Sequence, residues 1–198
     1  MATYILGAGG HAKVVYDAAA ACGIHIDGLA VADTRCAGFN NIRVISEEDI
    51  VTGDRIILGI GDNRIRTLLF NELKMIKAEV LTIIHPEAWV SPNASLGEGT
   101  VVLAGAVVNH SAAIGKACIV NTRAVVEHDC IVEHGVHISP GAVLCGGVHV
   151  GTESWIGAAS VVRENISIGR NCIVGAGSAV VKNIPDGTKG AGVPFRNL

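Results

Sequence analysis

The sequence predicts two architectures in tandem: a small α/β domain of βαβαβ order over residues 1–83, then an all-β parallel β-helix over residues 84–198. Three observations carry this prediction. From Ile84 to Val180 every sixth residue is Ile, Leu or Val, seventeen times in succession without an insertion. The composition pairs 49% hydrophobic residues with only 4% aromatics and 25 glycines, which suits a repetitive β fold of small side chains and tight turns. The first 83 residues follow another rule, in which glycine turns close short apolar runs.

In chain order, Thr3 to Gly23 reads as a strand, a glycine turn and a helix. Residues 28–33 form a second strand that ends in Asp33, and residues 55–63 a third, followed by a helix to about Lys77. This is one half of a Rossmann-type nucleotide fold, too short to supply the two halves that a dinucleotide needs. The change of rule falls near Pro86.

The repeat then takes over. Four residues after each aliphatic position stands a second register of mostly small residues, among them Ala106, Cys118, Ala124, Cys130, Ala142, Ser154 and Cys172. Neither a helical period nor simple alternation gives a spacing of six, but a short strand plus a corner, three per coil, does. Eighteen residues make one triangular coil, and nearly six coils stack to about 27 Å at the ~4.8 Å strand spacing. Cys118, Cys130 and Cys172 are expected to fill the core. Glycines directly after the aliphatic position (Gly97, Gly115, Gly151, Gly157, Gly169 and Gly175) are expected where the turn needs a left-handed backbone.

Net charge is −3, so no basic field invites nucleic acid or anionic lipid. No apolar run reaches the length of a membrane span and no leader pattern is visible, so no membrane insertion is expected. Six cysteines without a CxxC pair fit reduced thiols in a cytoplasm.

Candidate chemistry lies in two places. Gly7-x-Gly9-Gly10-His11 links a strand to a helix, where backbone amides face a phosphate, and Asp33 and Gly61 end neighbouring strands at the same sheet edge. In the repeat, His128 precedes Asp129 at a corner, so a carboxylate can orient an imidazole. His110 lies one coil earlier, and His137 is nine residues on, with Trp155 one coil below it. A zinc site of the γ-carbonic-anhydrase kind needs two histidines five apart and a third two coils earlier. No pair here is five apart and Pro92 stands 36 residues before His128, so no metal is expected. Cys145, beside Gly146, lacks a designated base and is expected to be inert.

The segments GAGGHAKVV, GIGDNRIR, VVEHDCIV with HISPGAVLCGGVHVG, and the tail GVPFR are together similar to the sialic acid O-acetyltransferase and UDP-amino-sugar N-acetyltransferase family, over nearly the whole chain. The hexapeptide repeat itself resembles that of left-handed β-helix acyltransferases. The resemblance implies acetyl-CoA as co-substrate, a UDP-4-amino-4,6-dideoxy-sugar as acceptor, and a homotrimer with active sites between subunits. It makes His128 the general base, Asp129 the residue that tunes it, and His137 a neighbour of the thioester. It places Gly146, Ala158 and Ala176 along the CoA arm, and Gly9, Gly10, His11, Asp33 and Gly61 around UDP. The same scaffold in this family also acetylates hydroxyls of sialic acids, the alternative acceptor. Two positions depart from the family pattern: Ala32 stands where a second acid often precedes Asp33, and Phe195 where the tail usually has Ala.

Overall fold

The computed structural model describes residues 2–36 and 38–198. It begins with a five-stranded parallel sheet of order β3-β2-β1-β4-β5: β1 (Thr3–Leu6), β2 (Gly28–Val31), β3 (Val44–Ser46), β4 (Arg55–Leu58) and β5 (Glu79–Val80). Helices α1 (Gly10–Ala21) and α2 (Asn63–Met75) connect β1 to β2 and β4 to β5. One expectation is corrected. Between β2 and β4 the described residues form no α-helix but the edge strand β3 and a single 3-10 turn, Glu47–Asp49, so the order is βαβ-β-βαβ. The turn is fixed locally: Ser46 Oγ accepts from the Glu48 amide and Asp49 from the Ser46 amide, a reciprocal cap too short to grow into a helix.

From β6 (Ile83–Ile84) to β22 (Ala179–Val180) the chain makes seventeen two-residue strands that stack in parallel on three faces, each strand pairing with the one 18 residues on. This is the left-handed β-helix that the six-residue period predicts. The inward column is dry: Val108, Val126, Ile138, Leu144, Val150, Ile156, Val162 and Ile168 are all fully buried, as are Cys130 and Cys172. Cys22, Cys118, Cys130, Cys145 and Cys172 are free thiols. Only the first coil departs from this, because nothing stacks above it: Ile84 is 42% exposed, and Val90 and Leu96 are half-buried.

The corners correct a second expectation. Left-handed residues recur every sixth position from Gly99 to Gly177, including Ser111, Ala117, Arg123, Asp129, Glu153, Ala159, Asn165 and Asn171, three residues after the inward aliphatic rather than one. The glycines directly after the aliphatic have another cause. A Cβ on Gly97 would lie 2.5 Å from Gly115 C, and one on Gly115 2.7 Å from Glu133 C, so these glycines let successive coils approach.

The faces differ in what they carry outward. The first presents Ile83, Val101, Ile119, His137, Trp155 and Ile173; the second Trp89, Val107, Val125, Val143, Val161 and Ala179; the third Ser95, Ala113, Ile131, His149 and Ser167. The α/β domain lies on the first face, where Ile83, Val101 and Ile119 share a core with Ala12, Val15 and Ala19 of α1. At the far end, β23 (Lys189–Ala191) continues the first face and β24 (Arg196–Asn197) runs back antiparallel to it. The Phe195 ring packs over Gly190 and against the end of the core column.

Candidate active site

The site is built in two parts on different sides of the prism. The first lies on the edge between the second and third faces. The corner at 127–130 projects His128 outward, and His128 Nδ1 is 2.8 Å from Asp129 Oδ2. Both side chains are well exposed, at 63% and 66%. The corner forces Asp129 to φ +59, a conformation that Asp tolerates better than most residues, and its amide donates to His110 O one coil earlier. Gly146, one coil later, lies under the imidazole: a Cβ there would sit 2.6 Å from Cε1 and 2.7 Å from Nε2 of His128. Absence of a side chain at 146 is therefore what seats the ring. The thiol of Cys145 is pushed up by burial, with Glu164 and Glu127 adding to the rise, which leaves it a poor nucleophile.

The second part is the junction between the α/β domain and the first face. Gly9 and Gly10 open α1; a Cβ on either would meet no atom within 4 Å, so the helix N-terminus faces open space. His11 follows, with Gly61 beside its Cβ. Its ring stands 6.3 Å from that of His137, which stacks on Trp155 at 5.4 Å and 11°. His137 is only 7% exposed. Trp155 Nε1 in turn donates to Ser139 Oγ at 2.6 Å.

Arg66 of α2 holds this junction together. It is fully buried, and its guanidinium donates to the carbonyls of Ala117, Gly135, Ile60 and Gly61 and to Asn63 Oδ1. Asn63 continues the staple, donating to the carbonyls of Glu153 and Ser154. Burial lowers the Arg66 pKa to about 10, still far above neutrality, so a cation without a hydrogen-bonded carboxylate sits under the two histidines. Burial first, then Arg66, lowers His11 to about 4; burial, Arg66 and His11 lower His137 to about 3. Both rings are neutral at pH 7.

The structure thus brings Gly9, Gly10, His11, Gly61 and His137 together, and separately His128, Asp129 and Gly146. Ala158 and Ala176 lie one above the other on the edge between the first and second faces, where the Gly177 amide donates to Ala158 O. Asp33 forms no hydrogen bond or ion pair with either group. It lies beyond the end of β2, exposed, with both carboxylate oxygens taken by Arg35: Oδ1 by the amide and Nε, Oδ2 by Nη2. Sequence reasoning assigned no role to Arg66, although it lies inside the GIGDNRIR segment; its importance follows from burial, which no motif spacing reports. Among the described residues no group of three or more His, Cys, Asp or Glu is placed to hold a metal ion.

The fold and the matches to solved relatives define a hexapeptide-repeat acetyltransferase. The PglD N-terminal domain model matches residues 3–73. A histidine variant of perosamine N-acetyltransferase from Caulobacter crescentus, solved with CoA and GDP-perosamine, is 36% identical over 100% of this chain and 97% of that one, with a TM-score of 0.93. The acetyltransferase domain of PglB from Neisseria gonorrhoeae is 38% identical over 99% and 98%, also at 0.93. UDP-N-acetylbacillosamine N-acetyltransferase from Bacillus subtilis is 42% identical over 48 residues, which span 24% of this chain and 22% of that relative. The chain belongs to the bacillosamine-type family of sugar N-acetyltransferases.

Proposed function

We propose that this chain transfers an acetyl group from acetyl-CoA to the 4-amino group of a UDP-linked 4-amino-4,6-dideoxy-sugar, with His128 as general base. The observation that carries the reading is the His128–Asp129 pair at 2.8 Å, seated on a glycine at an open edge. Asp129 accepts from Nδ1–H, which leaves Nε2 as the proton acceptor. The sugar nitrogen attacks the thioester carbonyl, the N–C bond forms and the C–S bond breaks. The amine proton passes to His128 Nε2 and from there to the departing thiolate. The Gly146 amide supports the developing oxyanion. Acetyl-CoA runs past Gly146, Ala158 and Ala176, and the nucleotide diphosphate meets the amides of Gly9 and Gly10, with His11 and Gly61 alongside and Asp33 toward the base.

The acceptor junction and the His128 edge lie on different sides of one prism, so a second copy is needed to complete the site. The second face offers the surface for it: Val107, Val125, Val143 and Val161 form a ladder with Trp89 and Ala179 at its ends, and Trp89 and Val161 are 59% and 45% exposed. This supports a homotrimer with shared sites. No described helix is long and apolar enough to cross a membrane, and the reading places the enzyme in the cytoplasm with its acetyl-CoA. Thiol release from acetyl-CoA, measured with UDP-, GDP- and dTDP-4-amino-sugars and with sialic acids, tests the proposal. Turnover is expected with the UDP-4-amino-sugar. Preference for another nucleotide would correct the base, and turnover only with sialic acids would replace N- by O-acetylation.

A further inference from the structure

The two faces of the parallel sheet are covered unequally. One face, through Ile5, Leu29 and Ile57, packs on α1 and beyond it on the prism. The other, through Leu6, Ala30, Ile45 and Leu58, packs on Phe70 and Leu73 of α2 and on Ile50. Parallel sheets are normally roofed by helices on both sides, because each crossover between parallel strands brings one. Five strands about 4.8 Å apart make a face roughly 20 Å wide, and a helix about 10 Å across roofs half of it. The crossover from β3 to β4 lies on this second face, and it supplies the 3-10 turn Glu47–Asp49 and Ile50 in place of a second helix. A cleft of ≈ 260 Å³ remains between that turn and α2, with Leu6, Ile50, Leu69 and Leu73 as its apolar lining.

Helix α2 carries apolar residues on two sides. Phe70 and Leu73 are buried against the sheet. Ile65, Leu68, Leu69 and Ile76 fall at i, i+3, i+4 and i+11, a second stripe on the outer side of the helix. Leu68 is 57% exposed and Ile76, which also lines the cleft, 41%. An exposed apolar stripe beside a vacant helix position marks an interaction surface.

The rim of the cleft is acidic. Glu47, Glu48 and Glu72 line it, and among the described residues none of the three forms an ion pair. Lys74 lies on the opposite side of α2 and is taken by Glu98 at 2.6 Å. The charge decides between occupants. A second copy meeting by the same patch across a two-fold axis would set these carboxylates against their own images. An anionic bilayer is repelled for the same reason. A cationic helix is attracted.

We propose that the cleft between α2 and the Glu47–Asp49 turn is a docking groove for a cationic amphipathic helix of another protein. The partner's apolar side chains enter between Leu69 and Ile50 and lie along Leu68 and Ile76, and its Lys or Arg side chains meet Glu47, Glu48 and Glu72. The docked helix occupies the place that a crossover helix would take in a fully roofed sheet. This surface is independent of acetyl transfer.

The probe is a synthetic Leu/Lys peptide of about 18 residues, five helical turns with one apolar face, titrated into the full chain and read by fluorescence anisotropy. It is expected to bind, and a scrambled peptide of the same composition with no apolar face to bind about tenfold more weakly. Leu68→Ser with Ile76→Ser, and separately Glu47→Gln with Glu48→Gln and Glu72→Gln, are each expected to weaken the helical peptide about tenfold with little change in melting temperature. Absence of binding overturns the proposal. Equal binding of the scrambled peptide also overturns it, since charge attraction alone then suffices, as does binding that both sets of variants leave intact. A fall in assembly mass by sedimentation in the Leu68→Ser, Ile76→Ser variant would give the cleft to a second copy instead. Flotation on phosphatidylglycerol vesicles that this variant abolishes would give it to a membrane. None of these readings uses a nucleotide sugar or acetyl-CoA, so failure of the catalytic reading leaves them decisive.

Discussion

The two histidine sites use one side chain in opposite ways. At the open edge, His128 is 63% exposed and its Nδ1 lies 2.8 Å from a carboxylate. At the junction, His137 is 7% exposed, stacked on Trp155 and positioned over a buried cation, and it keeps a fixed neutral form. Exposure with a carboxylate makes a proton acceptor, whereas burial near a cation makes a rigid hydrogen-bonding group. Residue type alone does not distinguish them; the surroundings do.

The largest expected effect falls on the open edge. His128→Gln is expected to lower kcat by roughly 10²–10⁴-fold with little change in melting temperature, because an exposed ring contributes little packing; retained turnover would remove the base assignment. Next comes the junction, tested by acid. The unfolded chain takes up protons on both rings near pH 6.5, whereas the folded rings resist to about 4 and about 3. The unfolded state therefore binds more protons below pH 6.5, and stability falls as pH drops from there toward 4. The slope is up to about 1.4 kcal/mol per pH unit for each ring. Urea unfolding at pH 7 and pH 5 should show this loss, and the double variant His11→Phe with His137→Phe should flatten it.

Gly146→Ala sharpens the contrast from the other side. The added methyl, 2.6 Å from His128 Cε1, must displace the ring, and kcat is expected to fall by about 10- to 100-fold while kinetics at saturating acetyl-CoA show an unchanged acceptor KM. Asp129→Asn is expected to have the smallest effect, about tenfold in kcat, since an exposed carboxylate is screened by water. Asn tolerates the left-handed corner, so a change in melting temperature in that variant would point to backbone strain rather than lost charge.

The solenoid was readable because its constraint is local: each coil repeats the same demand, so Val108, Val126 and Leu144 announce the period by themselves. The His128–Asp129 pair was readable for the same reason, since adjacent residues at a corner need no tertiary information to meet. What the sequence hid depends on long-range contact. His11 and His137 lie 126 positions apart, and their approach is set by how α1 and α2 seat on the first face. The left-handed corner position escaped notice because eight of its residues are not glycine, whereas the conspicuous glycines serve coil-to-coil approach. The edge strand β3 is three residues long and carries no period of its own.

The far end of the prism has one further consequence. A bare last coil would offer a row of unpaired amides and carbonyls to the first coil of another molecule, and such head-to-tail addition has no natural stopping point. Phe195 plugs the column and the reversed strand β24 covers its margin, and closing one end is enough, because growth needs two matching ends. The Phe195 ring and the reversed strand thus close this end of the solenoid against head-to-tail addition.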